Sequence, residues 1–248
     1  MKKFIPLATA AVLAIAAAMP TQAALYTASY GSVLAGPSNC DDCFAGPINF
    51  SGAGQTIDFF GGTFAGLFVG SNGYVTFGAG ATSFSPQPLN TQTIGRMIAG
   101  LYTDLDSRAD AASQVFANTS TDGEIIVTWS ELGHFLQNYS VRSTFQLVIR
   151  SAQFTVGAGE GQIGFFYGSI TDPNTVSAGF GDGLVAVNPG EVAFASQVAG
   201  SSLSNNAPRW FNLAGGMPTP SSVPEPTSLA LVGLALLGAA VSRRPRRA

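Results

Sequence analysis

Apolar and polar residues alternate along short segments in the middle of the chain. In residues 124–131, Ile125, Val127 and Trp129 share one face of an extended strand, and residues 141–150 repeat the pattern. In the second segment the inward set is Phe145, Leu147 and Ile149, and the outward set is Thr144, Gln146 and Arg150. This alternation is typical of half-buried strands.

Further short segments of the same kind are separated by turn residues. They lie at residues 25–35, 55–60, 66–70, 74–77, 96–106, 113–118, 162–167, 176–180 and 191–195. Between residues 24 and 222, glycine or proline interrupts every helical apolar period. The pattern predicts an all-β fold, an antiparallel β-sandwich of about 10–12 short strands, with a β-barrel as the alternative.

The first residues of the chain have the order of a secretory signal peptide. Lys2 and Lys3 precede an apolar run at 4–19, and small residues lead up to a predicted cleavage after Ala23. We therefore expect a signal helix in residues 1–23 that is absent from the mature protein.

The last residues of the chain form a second targeting signal. Val223, Pro224, Glu225 and Pro226 precede an uncharged apolar run at 227–241. As a helix this run spans roughly 22 Å, less than the hydrocarbon core of a bilayer. An arginine cluster follows at Arg243, Arg244, Arg246 and Arg247. We expect a short transmembrane helix with these arginines on the cytoplasmic side. A permanent, unprocessed anchor is the alternative.

Removing both ends leaves residues 24–222 as one exported domain. This domain is acidic, because six of the eleven Lys and Arg lie in the two ends, whereas thirteen of the fourteen Asp and Glu do not. An acidic surface repels phosphate backbones, so nucleic acid is excluded as a partner.

The chain has two cysteines, Cys40 and Cys43, separated by two aspartates. In an exported protein a local disulfide is the simplest interpretation. Free thiols and a redox or metal site remain alternatives, although no helix follows the pair as thioredoxin-like chemistry requires.

Asp104, Asp106 and Asp110 form the densest group of carboxylates, with Arg108 among them. Three interpretations are open: a calcium site, a turn with an Asp–Arg pair, and a glycosidase-like pair of carboxylates. The spacing lacks the glycine and distal glutamate of an EF-hand loop. His134 is the one histidine, and no Gly-x-Ser-x-Gly turn accompanies it, so we expect a loop residue there.

The order of Pro-Glu-Pro, apolar helix and arginine cluster resembles the PEP-CTERM sorting signal of Gram-negative bacteria. The resemblance implies cleavage near Pro224–Pro226 by an exosortase-type enzyme, after a transient stay in the inner membrane. The final location would then be the cell surface or the extracellular matrix.

The domain itself resembles a nidogen-like (NIDO) extracellular domain over residues 64–213. The matching blocks are residues 67–78, 98–106, 126–129, 144–149, 165–168, 178–183, 204–206 and 209–211. Residues 100–102 depart from the pattern, since Gly-Leu-Tyr stands where an aromatic Pro-Phe-Trp-like core is usual.

The NIDO resemblance implies adhesion or matrix association, with cell-surface proteins or exopolysaccharide as partners and no enzymatic activity. It implies no cofactor. The alternatives are a calcium- or glycan-binding module and, less favoured, a secreted hydrolase.

Overall fold

The computed structural model of the protein describes residues 25–186, 188–204 and 206–221. Within them sixteen strands and one 3-10 helix alternate with turns, and the strand pairings are antiparallel. The strands are β1 Ser32–Val33, β2 Phe44–Asn49, β3 Ile57–Phe59, β4 Gly62–Phe64, β5 Gly66–Gly70, β6 Tyr74–Thr76, β7 Met97–Tyr102, β8 Leu105–Asp106, β9 Gln114–Asn118, β10 Glu124–His134, β11 Asn138–Arg150, β12 Ile163–Ile170, β13 Thr175–Gly181, β14 Val192–Ala199, β15 Arg209–Ala214 and β16 Met217–Pro220; the 3-10 helix is Gly200–Leu203.

Two large sheets and one small hairpin contain these strands. The first sheet has the order β1-β9-β10-β11-β12-β15-β16, with β8 also paired to β10. The second sheet has the order β14-β13-β7-β6-β5-β2, and β3 pairs with β4. The predicted all-β, antiparallel class is confirmed.

Apolar side chains from both large sheets meet in one core. Val127 and Trp129 of β10 belong to the same buried cluster as Val69 of β5. The Trp129 ring stacks on Phe145 with centroids 4.8 Å apart, and its indole N–H donates to the carbonyl of Gly70, 2.9 Å away in the second sheet. The two sheets therefore pack face to face as a sandwich, and the inward faces predicted for β10 and β11 point into its core.

The outer face of the first sheet is covered by residues 25–30, which we call the N-terminal segment. Tyr26 packs on Phe166 and Trp210, with ring centroids 5.2 and 5.8 Å away. The Thr27 amide donates to the Gln146 side-chain carbonyl at 3.1 Å, and the Gln146 amide donates back to the Thr27 carbonyl at 2.9 Å. Gln146 thus lies outside the core, as the alternation predicts, yet it is buried.

Arg150, also in the predicted outward set, is only 1% exposed. Its guanidinium donates to Glu124 at 2.7 Å, to Tyr26 at 2.7 Å, and forms an ion pair with Glu160 at 2.8 Å. The Trp210 ring centroid lies 4.7 Å from the guanidinium carbon. This buried charge is partnered on several sides, which offsets its loss of hydration.

The strand count differs from the prediction of about ten to twelve. Six strands have only two to four residues, too few to show an alternating pattern: β1, β3, β4, β6, β8 and β16. The strand predicted at 25–35 is reduced to Ser32–Val33, because the N-terminal segment lies across the sheet instead of pairing with it. His134 is also not a loop residue, since β10 continues through it and pairs with β8 and β11.

The described residues contain no α-helix. A search of that part of the chain for a helix long and apolar enough to cross a membrane finds none. The signal helix predicted in residues 1–23 and the transmembrane helix predicted at 227–241 lie outside the described residues.

Candidate functional site

Loops from both sheets converge at one end of the sandwich, which we call the acidic end. The strand registers place the end of β7 beside the starts of β6 and β13. They place the end of β10 beside the start of β11, which in turn meets the end of β12. This end carries Asp41, Asp42, Asp104 and Asp172 in loops and Asp106 in β8.

Three of these aspartates form an acidic group. Asp41, Asp42 and Asp104 each offer a carboxylate oxygen, and the three oxygens lie within 4.8 Å of one another. Burial, together with the carboxylates of Asp42 and Asp41, raises the pKa of Asp104 to about 6. Such a group of hard oxygen donors has the chemistry that calcium prefers.

A disulfide holds two members of this group. Cys40 and Cys43 are bonded, with Cα atoms 6.0 Å apart, and Asp41 and Asp42 lie between them. The Cys43 carbonyl accepts the Ser71 amide at 2.8 Å, and the Cys43 amide donates to the Ser71 hydroxyl at 3.1 Å. The small ring is thereby fixed against the β5–β6 turn.

Asn72, in that turn, connects three loops. Its side-chain amide donates to Asp42 at 2.8 Å and to the Ser83 carbonyl at 3.3 Å, and its side-chain carbonyl accepts the Leu105 amide at 2.8 Å. Asn72 and Gly73 form an Asn-Gly turn, with Gly73 at φ +79°. Asn72 is 1% exposed, so these bonds are shielded from water and fix the acidic group.

Of the three aspartates predicted as a calcium set, Asp104 belongs to this acidic group, whereas Asp106 and Asp110 pair with arginines. Asp106 is buried and accepts two hydrogen bonds from the Arg108 guanidinium, at 2.8 and 2.6 Å. Burial alone would raise the pKa of Asp106, but the hydrogen bonds from Arg108 lower it below the ordinary value. Asp110 pairs with Arg142 at 3.0 Å. The alternative interpretation, a turn with an Asp–Arg pair, describes Asp106 and Arg108.

His134 and Asp172 form a second polar unit at the same end. The His134 Nδ1 atom lies 3.0 Å from Asp172, whose side chain is 1% exposed. Asn174 donates to the other Asp172 oxygen from its backbone amide at 2.8 Å and from its side chain at 2.6 Å. Burial would raise the pKa of Asp172, but the adjacent His134 imidazole and the hydrogen bonds from Asn174 lower it. Asp172 therefore orients both the imidazole and the Asn174 side chain.

A cleft of about 340 Å³ opens between these two polar units. Asp104 of the acidic group and His134 and Asn174 of the second unit line it. The remaining lining residues are Phe84, Ser85, Pro86, Thr103 and Thr175. The cleft has the volume of a small-ligand site.

Of these residues, sequence reasoning identified Asp104 and did not identify Asp41, Asp42, Asp172, Asn174 or Phe84. The Asp-Asp pair between two cysteines was visible, but nothing local indicates its proximity to Asp104. The Asp172-x-Asn174 spacing is a recognisable turn signal, whereas its contact with His134 arises only from strand register.

The predicted processing residues, Ala23, Val223, Pro224, Glu225, Pro226, Arg243 and Arg244, lie outside the described residues. The last described strand, β16, ends at Pro220, immediately before this sorting region.

Comparison with protein families gives two matches. The family described as NIDO related matches residues 18–210, and the PEP-CTERM protein-sorting motif matches residues 222–247. Comparisons with curated proteins and with solved structures gave no match. The sorting motif implies processing by an exosortase and places the protein among exported surface proteins. With a match over most of its length, the chain belongs to the NIDO-related family and carries a C-terminal PEP-CTERM sorting motif.

Proposed function

We propose that the protein is a non-catalytic component of the cell surface or extracellular matrix, where its β-sandwich acts in adhesion or associates with exopolysaccharide. The observation that carries this proposal is the order of the two family matches. A NIDO-related body at 18–210 is followed directly by a sorting motif at 222–247.

The fold supports an extracellular role in two further ways. The Cys40–Cys43 disulfide suits an oxidising compartment. The segments at the acidic end are tied to one another by the hydrogen bonds of Asn72 to Asp42 and Leu105 and by the contact of Asp172 with His134. A rigid body that presents loops at one end is a common basis for binding.

The first test is the intact mass and the cell fraction of the protein isolated from its own host. We expect a chain that begins at Ala24, lacks the apolar run at 227–241, and is found in the surface or matrix fraction. Recovery of the full-length chain from the cytosol would contradict the proposal.

A matched variant isolates the sorting step. Replacement of Pro224, Glu225 and Pro226 by alanine leaves the body and the apolar run unchanged. We expect this variant to remain in the membrane fraction with its C-terminus intact. Release of the variant into the matrix at the normal mass would show that these residues do not direct processing.

The absence of catalysis has its own test, because the His134–Asp172 pair could orient a general base. We expect the isolated protein to show no turnover with glycan, ester and peptide substrates. Turnover that is lost in His134→Ala would replace this proposal with a hydrolase.

A calcium-binding module is the second candidate function, favoured by the grouping of Asp41, Asp42 and Asp104. Bound calcium would offset the repulsion among these carboxylates and so stabilise the folded protein. At calcium concentrations about 100 times the Kd, the gain would be about 2.7 kcal/mol, or several degrees in Tm.

We expect calcium to raise the Tm of chelator-treated protein and to have no effect on Asp104→Asn. The control is Asp122→Asn, an exposed aspartate outside the group, which should respond like the parent. A parent Tm that is insensitive to calcium would eliminate this candidate.

A further inference from the structure

The cleft at the acidic end combines an exposed aromatic ring with oriented polar side chains. We infer that it binds one neutral sugar ring of a glycan, with the apolar face of the sugar on Phe84 and its hydroxyl groups on Asp104, His134 and Asn174. This inference rests on the proposed surface function and names its ligand class.

The aromatic wall of the cleft is Phe84, and two buried tyrosines hold its loop in place. Phe84 is 48% exposed, although the loop that carries it is anchored on both sides. The Tyr74 hydroxyl donates to the Ser83 carbonyl at 3.0 Å, and the Tyr102 hydroxyl donates to the Ser85 carbonyl at 2.6 Å. A fixed, half-exposed aromatic ring at the cleft offers a flat apolar surface on which the apolar face of a sugar can lie.

The polar residues that line the cleft supply hydrogen-bond acceptors. The Asn174 side-chain amide group donates to Asp172, which leaves its carbonyl oxygen for a ligand. The His134 Nδ1 atom lies 3.0 Å from Asp172, which leaves Nε2 for a ligand hydroxyl group. No described residue donates a hydrogen bond to the Asp104 side chain. A ligand that fits these residues must bring several donors, as the hydroxyl groups of a sugar do.

The negative charges around the cleft determine which class of sugar it favours. Asp41 and Asp42 lie beside Asp104, and Asp172 lies behind His134 and Asn174. The arginines near this end are already paired: Arg108 with Asp106 at 2.6 Å and Asp41 at 2.7 Å, and Arg142 with Asp110 at 3.0 Å. A uronic acid would place its carboxylate in this negative field, so the cleft favours a sugar without an acidic group.

The test uses the mature protein isolated from its host, in the presence of a chelator so that calcium cannot contribute. The probes are the methyl glycosides of glucose, galactose and mannose, with the methyl glycoside of glucuronic acid as the charged counterpart. Binding is measured by ligand-observed NMR and by calorimetry. Phe84→Ala tests the aromatic wall, and Phe135→Ala is the control because Phe135 is equally exposed, at 48%, and is not among the cleft residues.

We expect at least one neutral glycoside to bind, with about tenfold weaker binding to Phe84→Ala and unchanged binding to Phe135→Ala. The glucuronide should bind at least about tenfold more weakly than the matching glucoside. Circular dichroism of both variants checks that they are folded.

The inference is overturned if no neutral glycoside binds at about 10 mM. It is equally overturned if Phe84→Ala binds like the parent, or if the glucuronide binds as well as the glucoside. Failure here with the processed protein in the matrix fraction would leave the proposed function standing. Sugar binding by a protein found only in the cytosol would support this inference and contradict the proposed function.

Discussion

At the residue scale, the buried charges are compensated by charged partners. Arg150 is bound by Glu124 and Glu160, and Asp106 is bound by Arg108. Asp172 is different, because its partners are an imidazole and an amide that both line the cleft. Removing a partner from a buried charge is costly, so these positions should be sensitive to substitution.

Asp172→Asn should destabilise the protein by about 1–3 kcal/mol at neutral pH, since an amide is a weaker acceptor than a carboxylate. In the folded protein the pKa of Asp172 lies below its ordinary value of 3.8. The ionised group therefore stabilises the fold above that value, and the contribution is lost as the pH falls through the folded pKa. The difference between parent and variant should shrink below about pH 4.

Urea unfolding of both proteins at a series of pH values measures this difference. Asp122→Asn serves as the control, since Asp122 is exposed and should show little effect at any pH. A deficit in Asp172→Asn that stays constant into strong acid would contradict the assignment of the stabilisation to the Asp172 carboxylate.

At the scale of single elements, the sequence predicts the strands and their inward faces better than it predicts what covers them. Alternation in β10 and β11 indicated the core positions of Trp129 and Phe145, because one strand alone carries that signal. The burial of Gln146 depends on the N-terminal segment, whose contacts span 119 residues of sequence. The local pattern of apolar and polar residues gives no signal for such a long-range contact.

Long-range contacts also explain why the sequence predicted only part of the candidate site. Asp104 could be singled out as one of a dense run of carboxylates. Asp41 and Asp42 join it only because β2 and β5 pair and bring the disulfide loop to the β5–β6 turn. His134 meets Asp172 through the registers of β10, β11 and β12. These are long-range pairings, and a single sequence does not fix their register.

Tyr26→Ala should detach the N-terminal segment and destabilise the protein by about 2–3 kcal/mol, because it removes ring packing and a hydrogen bond to Arg150. Tyr26→Phe keeps the ring contacts and loses only that 2.7 Å bond, so it should cost about half as much. Thermal unfolding measures both. Tyr30→Ala, a substitution in the same segment that removes a ring contact with Phe116 and no bond to Arg150, should cost the least.

Equal stability of Tyr26→Ala and the parent would show that the segment contributes nothing to the first sheet. Hydrogen exchange at Gln146 and Arg150 gives an independent readout, because detachment of the segment exposes their side of β11 to water.

At the scale of the whole molecule, the large cluster of buried apolar residues draws on both sheets, including Val69 of β5 and Val127 of β10. Neither sheet can keep its inner face buried without the other. We therefore expect residues 25–221 to unfold in one cooperative transition, with equal calorimetric and van't Hoff enthalpies. Two separated transitions by calorimetry, in oxidised protein, would show that the sheets are independently stable.

The two tryptophans of the chain give this architecture an optical consequence. Trp129 is fully buried beside Phe145 in the core, whereas Trp210 is 9% exposed beneath Tyr26. Emission from a Trp210→Phe protein reports on the centre of the sandwich, and emission from a Trp129→Phe protein reports on its outer covering. Intrinsic fluorescence can therefore follow loosening of the surface layer and collapse of the interior as two separate signals.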